Sequence, residues 1–386
     1  MHHTPPSRFS RLFTAIAVIV LTTIICLALA EGGAGLALKR IRAARPLYML
    51  SYSDDEITRL YGSADVQRYR EVIAESWKMG DTVYSPFVEF RMAPTQGKWF
   101  NVTEEGFRSN GHGAQDLGRA GPKIFVFGGS TTMGSGVTDA ETIPAYLEDS
   151  LRSAGKPDAQ VFNFGAVAWF STQERIALER LLTAGIKPDL AVFVDGLNDF
   201  YYCTVPDQSS WYERLMQTTR ARSRQPLGIE LAARSNVVQL ARHFGGDKAV
   251  VVREWGSFCN SDADIDRIVR RLDTNRRIID GMAERLGFKV LFVTQPVPTW
   301  HYDNAKRPVP VKEEMLGYHA NSARGYARMA EMGAAGQLWQ RNHLWLGELE
   351  PDDSNAYIDT VHYSPAFNRA IADAIAHRVA DDRLVP

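Results

Sequence analysis

From Lys123 onward the chain alternates short, wholly apolar runs with longer segments that are apolar on one face only, and this alternation confines it to a small set of folds. Ile124-Phe125-Val126-Phe127 stops at Gly128-Gly129, the pattern of a buried parallel strand closed by a tight turn. A helix is predicted from Thr142 to Leu151, with Ile143, Tyr146, Leu147 and Leu151 on one face. Strands at Gln160 to Phe164 and Leu190 to Val194 enclose a helix from Ser171 to Ala184. A helix from Asp264 to Leu286 leads into a strand at Lys289 to Val293, and a last helix runs from about Ala366 to Val379. Strands alternating with helices predict an α/β fold with a mostly parallel sheet covered on both faces.

Two stretches interrupt the rhythm, near 200–261 and 296–355. Both follow the C-terminal ends of predicted strands, where open α/β sheets place their ligands, so both are situated to shape a cleft. Trp211, Tyr212, Trp255, Trp300, Tyr302, Trp339 and Trp345 lie in them, either as small cores of the insertions or as cleft walls. Residues 46–120 are mixed and polar, with Pro86 and Pro94, and read as an N-terminal extension with no motif that assigns a role. The organisation expected is therefore 1–45, an extension over 46–120, and a main domain over 121–386.

The N-terminus differs from the rest. Arg8 and Arg11 precede an uncharged apolar run from Leu12 to Ala30, and apolar character resumes past Glu31 as far as Leu38, before Lys39, Arg40, Arg42 and Arg45. At a helical rise of about 1.5 Å per residue, such a run covers most of a hydrocarbon core of about 30 Å. A retained signal anchor is the preferred reading. The alternative is a signal peptide cleaved after Ala28-Leu29-Ala30. Either way the remainder is expected outside the inner membrane, anchored with a periplasmic or extracellular domain, or secreted if cleaved. Cys26 lacks the small residues of a lipoprotein signal before it. Cys203 and Cys259 then remain, able to pair in an oxidising compartment or to stay as separate buried thiols. No metal-ligand spacing is present, and with 44 basic against 45 acidic side chains no strong field draws in a nucleic acid.

Four segments carry candidate chemistry. Gly128-Gly129-Ser130-Thr131 puts a serine at the end of the first sheet strand, where a sharp turn exposes it. Thr132 breaks the G-x-S-x-G elbow, and neither a P-loop nor a dinucleotide fingerprint is present, so no cofactor is expected. Asn163-Phe164-Gly165 ends the next strand, and Asp195-Gly196-Leu197-Asn198-Asp199 the one after, where an Asn side chain can present an N–H to an oxyanion. Asp359-Thr360-Val361-His362 precedes the last helix at a spacing that lets the carboxylate reach the imidazole. Each segment alone also fits a turn or a helix cap.

In this order the four segments resemble the blocks of the SGNH hydrolases, also called GDSL-type esterases and lipases, over about Lys123 to Val379. The chain departs from the family's usual Gly-Asp-Ser by having Gly129 before the serine. The resemblance implies a three-layer α/β/α sandwich of flavodoxin style and a serine hydrolase. Ser130 would be the nucleophile, His362 the general base and acid, and Asp359 the group that orients His362, with Ser130, Gly165 and Asn198 as oxyanion donors. The leading expectation is an exported carboxylic ester hydrolase that removes acyl groups, acetyl among them, from an envelope or extracellular glycan, since export and the insertion aromatics suit a sugar, while a lipid ester would suit the membrane anchor. Three readings stay open: hydrolysis, acyl transfer to a sugar hydroxyl through the same acyl-serine, and an assembly or binding protein that keeps the fold without turnover. His112, His301, His319 and His343 lack the DxxH context and read as surface or satisfied core residues, with His301 beside Trp300 a candidate for the cleft. Asp195 and Asp199 stay outside the catalytic set. The oligomeric state is not legible.

Overall fold

The computed structural model describes residues 8–43, 48–78, 81–203, 234–244, 256–338, 342–350 and 355–385. Two compact units result, one from residues 1–51 and 213–254, the other from 52–212 and 255–386. In the first, helix α1 (Arg8–Ala43) contains a span, Arg11–Ile41, long and apolar enough to cross a membrane. Glu31, the acidic residue within that span, accepts the Asn236 backbone N–H at 2.7 Å and bonds the Ser235 hydroxyl, so its carboxylate caps a second helix, Asn236–Phe244.

The second unit begins with α2 (Asp54–Tyr61), α3 (Val66–Lys78) and an antiparallel hairpin of β1 (Thr82–Ser85) and β2 (Glu89–Met92). The alternating part follows: β3 (Lys123–Gly128), α4 (Ser130–Met133), α5 (Ile143–Ser153), β4 (Gln160–Asn163), α6 (Ser171–Thr183), β5 (Leu190–Asp195) and α7 (Leu197–Tyr201). It closes with α8 (Asp262–Leu286), β6 (Lys289–Thr294), α9 (Asn321–Ala334), β7 (His343–Trp345) and α10 (Pro365–Asp381). Helix α8 starts two residues before its apolar periodicity, because Ser261 and Asp264 form a reciprocal cap there. Strand β7 was not legible in sequence: three half-buried residues carry too little pattern.

Strands β4-β3-β5-β6-β7 form one sheet in that order, all parallel. Successive side chains along a strand face opposite sides, and here the two sides differ in kind. Ile124, Val126 and Val192 meet Ile143 and Leu147 of α5 and Phe367 and Ile371 of α10. Phe125, Phe127, Phe162, Phe193 and Phe292 meet Leu178 of α6 and Ile279 of α8. The result is the three-layer α/β/α sandwich. Because β3 sits between β4 and β5, the chain leaves it to opposite sides, and the crevice of such a sheet opens at the C-terminal ends of β3 and β5. Ser130 follows β3 and Asn198 follows β5.

Cys203 and Cys259 form a disulfide across a sequence separation of 56 residues. Tyr202, beside it, bridges to Ser257, so the bond fastens the end of α7. Replacing both cysteines by serine is expected to lower stability by about 4 kcal/mol on the loop-entropy relation, checked by denaturant melts of oxidised wild type and variant. Equal midpoints would contradict it.

Candidate active site

Gly129 follows β3 as the N-cap of α4 in an extended conformation, and Ser130 opens the helix. The turn beyond it is held from residues far away in sequence. Arg108 is fully buried, donating from Nε to Asp139 Oδ1 at 2.8 Å and from Nη1 and Nη2 to the carbonyls of Met133, Gly134 and Val137. Asn163 Nδ2 reaches the Thr132 and Met133 carbonyls from the end of β4. Gly136 N–H donates to Ser76 Oγ of α3, and Tyr61 OH of α2 donates to the Gly136 carbonyl.

The Asp359 to His362 segment folds back on its own carboxylate. Asp359 Oδ1 accepts the backbone N–H groups of Val361 and His362 at 2.8 and 2.7 Å, and His362 Nδ1 lies 2.6 Å from Oδ2. Burial would raise the Asp359 carboxyl, but the opposing charge of His362 and these hydrogen bonds outweigh it and hold it below its ordinary value. An ionised carboxylate only accepts, so Nδ1 carries the imidazole proton and Nε2 presents a lone pair. Ser130 Oγ donates to Nε2 at 2.8 Å. Arg307 secures the segment by donating to the Asp359 and Thr360 carbonyls at 2.7 and 3.2 Å, and the Trp77 ring stands edge-on to His362 at 5.8 Å. A buried chain of Thr131, Gln295 and Tyr363 ties the serine's turn to the residue after His362.

Ser130, Asn198 and His362 line one cleft of about 410 Å³, with Thr82 and Phe90 of the hairpin, Val167, Ala168, Tyr201, Tyr202, His319 and Val361. Asn198 Nδ2 donates to the Trp169 carbonyl at 2.8 Å, which fixes the carboxamide and leaves its second N–H for a ligand. Gly165 is not among the lining residues, and its N–H is committed to Asn163 Oδ1 at 3.0 Å. The structure therefore brings Ser130, Asp359, His362 and Asn198 together and leaves Gly165 packed beside Met133. The absence of the family's usual Asp has a steric reason. A Cβ on Gly129 would lie 2.2 Å from Asn198 Nδ2 and 3.2 Å from the Trp169 carbonyl, so a side chain there displaces the carboxamide. Gly129→Asp is expected to lower kcat/KM for nitrophenyl acetate by about 100-fold, the usual effect of losing one oxyanion donor. Wild-type kinetics would show that Asn198 is dispensable or yields at no cost.

Among the other histidines, His112 lies 3.1 Å from Asp149 Oδ1 and His343 lies 2.8 Å from Thr294 Oγ1, burial holding the His343 imidazole down. His301 is exposed, stacked on Trp300 and paired with Glu348, away from the cleft lining. His319 departs from expectation. It is neither a surface residue nor a satisfied core residue, because the short 3-10 helix Glu313–Ala320 carries it into the cleft wall with its Nδ1 buried and without a partner among the described residues. Of the insertion aromatics, Trp300 and Trp345 pack around Tyr326 and Tyr302 packs on Tyr357. Trp211, Tyr212, Trp255 and Trp339 lie outside the described residues. Asp195 and Asp199 are buried below Asn198. Asp199 accepts from Ser171 Oγ, and burial followed by the Asp199 charge pushes the Asp195 carboxyl up to about 6. Arg108, Arg307, Trp77 and the hairpin had no sequence signal, since each acts by contacts between segments remote in the chain.

The GDSL-like lipase/acylhydrolase family matches residues 126–328, more than half of the chain. The chain belongs to that family. It is an ester hydrolase with the family's mostly parallel sheet, and the match takes in Ser130, Gly165 and Asn198 but ends before Asp359 and His362. Solved structures similar to this hydrolase include an acetyl xylan esterase, AlAXEase, at 14% identity over 67% of this chain and 99% of that one, TM-score 0.35. A carbohydrate acetylesterase from Sinorhizobium meliloti, Est24, is 15% identical over 67% of this chain and 99% of that one, TM-score 0.33. A lipase/acylhydrolase from Enterococcus faecalis is 14% identical over 68% and 96%, TM-score 0.31. Comparison with curated proteins gives no match.

Proposed function

We propose that this hydrolase is a membrane-anchored, exported enzyme that removes acyl groups, acetyl among them, from an envelope or extracellular glycan, with Ser130 as nucleophile. The observation that carries the reading is the hydrogen-bonded relay from Ser130 Oγ to His362 Nε2 and from His362 Nδ1 to Asp359 Oδ2, opening on the cleft. Ser130 Oγ bonds to the ester carbonyl carbon as its proton passes to His362 Nε2. The ester C–O bond then breaks, the departing alcohol takes that proton, and a water attacks the acyl-serine with the same imidazole as base. Asp359 stays ionised throughout and stabilises the imidazolium. Developing charge on the carbonyl oxygen is met by the Ser130 N–H and the second N–H of Asn198.

Export is supported by the apolar span of α1 and by the Cys203–Cys259 disulfide, which suits an oxidising compartment. The glycan reading is supported by a cleft walled by Phe90, Tyr201 and Tyr202, rings that complement the C–H faces of sugars. A fluorophosphonate probe is expected to label Ser130, and the enzyme to release acetate from an O-acetylated polysaccharide. An unlabelled Ser130 would remove the basis for the mechanism.

A further inference from the structure

His319 is a side chain of the cleft wall that the relay and the oxyanion donors do not use. Its position is built. The His319 carbonyl accepts from Ser322 Oγ at 2.6 Å, and the ring lies 4.6 Å from that of Tyr201. Asn321, two residues on, donates to the carbonyls of Phe200 and Ser257, fastening the same stretch to the end of α7. Yet Nδ1 is buried and finds no hydrogen-bond partner among the described residues, a cost that a polar group reaching it from the cleft would relieve.

The chemistry of that group follows from the cleft. Among the described lining residues there is no Lys, Arg, Asp or Glu, so nothing there pairs with an anionic head group. Burial pulls the His319 imidazole down to about 4, with the charge of His362 acting in the same direction and that of Asp359 against it. A neutral imidazole offers one donor and one acceptor, the complement of a hydroxyl. Tyr201, Tyr202 and Phe90 supply apolar faces beside it.

We infer that His319 is the positioning residue of an alcohol-side subsite, hydrogen-bonding a free hydroxyl next to the ester oxygen of an uncharged polyol ester. The inference rests on the reading of Ser130 as nucleophile and adds the recognition of the leaving alcohol. His362 moves the proton, while His319 orients the alcohol that receives it. A hydroxyl bound there holds the ester in register with Ser130, so the effect of His319 depends on whether the substrate carries that hydroxyl.

The test uses the full chain in detergent and three acetates: a monoacetylated methyl glucoside, monoacetylglycerol, and cyclohexyl acetate, which has no neighbouring hydroxyl. The readout is the ratio of kcat/KM for each polyol ester to that for cyclohexyl acetate, in which the fraction of active protein cancels. His319→Phe is expected to lower the ratio by about tenfold or more, and His319→Gln to restore it to within about threefold of wild type. A fall with the glucoside identifies a sugar ester, and one confined to the glycerol ester identifies a glycerol ester. Ratios unchanged in both variants overturn the inference even with Ser130 labelled by a fluorophosphonate. Should Ser130 remain unlabelled and wild type hydrolyse none of the three, the reading of Ser130 has failed and the subsite falls with it.

Discussion

Ser130→Ala is expected to reduce kcat for a short-chain ester by about 10⁴-fold or more while leaving the thermal melt where it is. The size follows from the loss of the covalent route: without Oγ, His362 has only water to activate, and the acyl-serine cannot form. The neutrality of the change in stability follows from the site itself. Ser130 Oγ makes its hydrogen bond to His362 Nε2, and a half-buried imidazole nitrogen at the cleft can bond water instead. Asp359 keeps its bonds to Val361 and His362, so the loop stays formed. Hydrolysis by the alanine variant at the wild-type rate would mean that the ester is cleaved elsewhere.

The second large effect is expected at Arg108, 22 positions before the serine and outside every motif. Its guanidinium neutralises Asp139 and satisfies three carbonyls of the turn after α4. Arg108→Ala removes the charge that pairs with buried Asp139, which keeps only its bonds from Asn101, and takes one donor from each of those carbonyls, a loss of about 3–5 kcal/mol for breaking one side of a buried ion pair. The protein that still folds should also turn over more slowly, since the Met133 to Val137 turn sets where Ser130 points. Arg108→Lys keeps the charge without the fork and should fall between the two. Denaturant melts paired with kcat read both effects, and a variant matching wild type in both would show that the turn holds without the clamp.

The two changes differ in how visible their positions are from the chain alone. Ser130 stands at the end of an apolar run, and a run of four apolar residues ended by two glycines leaves few alternatives to a strand and a turn. Arg108 lies in the polar extension, where nothing local separates it from a solvated arginine. The same contrast holds for the histidines. His362 has its partner three residues away, so their meeting is a property of one loop. His319 has its neighbours in α7 and at Ser322, and only the packing of α7 against the stretch before α9 brings it to the cleft.

The sequence by itself determined the alternating strands and helices, the strand-end placing of Ser130 and Asn198, and the Asp359–His362 pair, because periodicity and spacings of a few residues are local properties of the chain. It also showed an N-terminal span able to cross a membrane. What only the tertiary structure decided was the pairing of Cys203 with Cys259, the withdrawal of Gly165 behind Asn163, the clamps of Arg108 and Arg307, and the cleft that the hairpin, α7 and His319 close around the serine. Each depends on side chains tens to hundreds of residues apart meeting in a close-packed interior, and no short-range pattern encodes such a meeting.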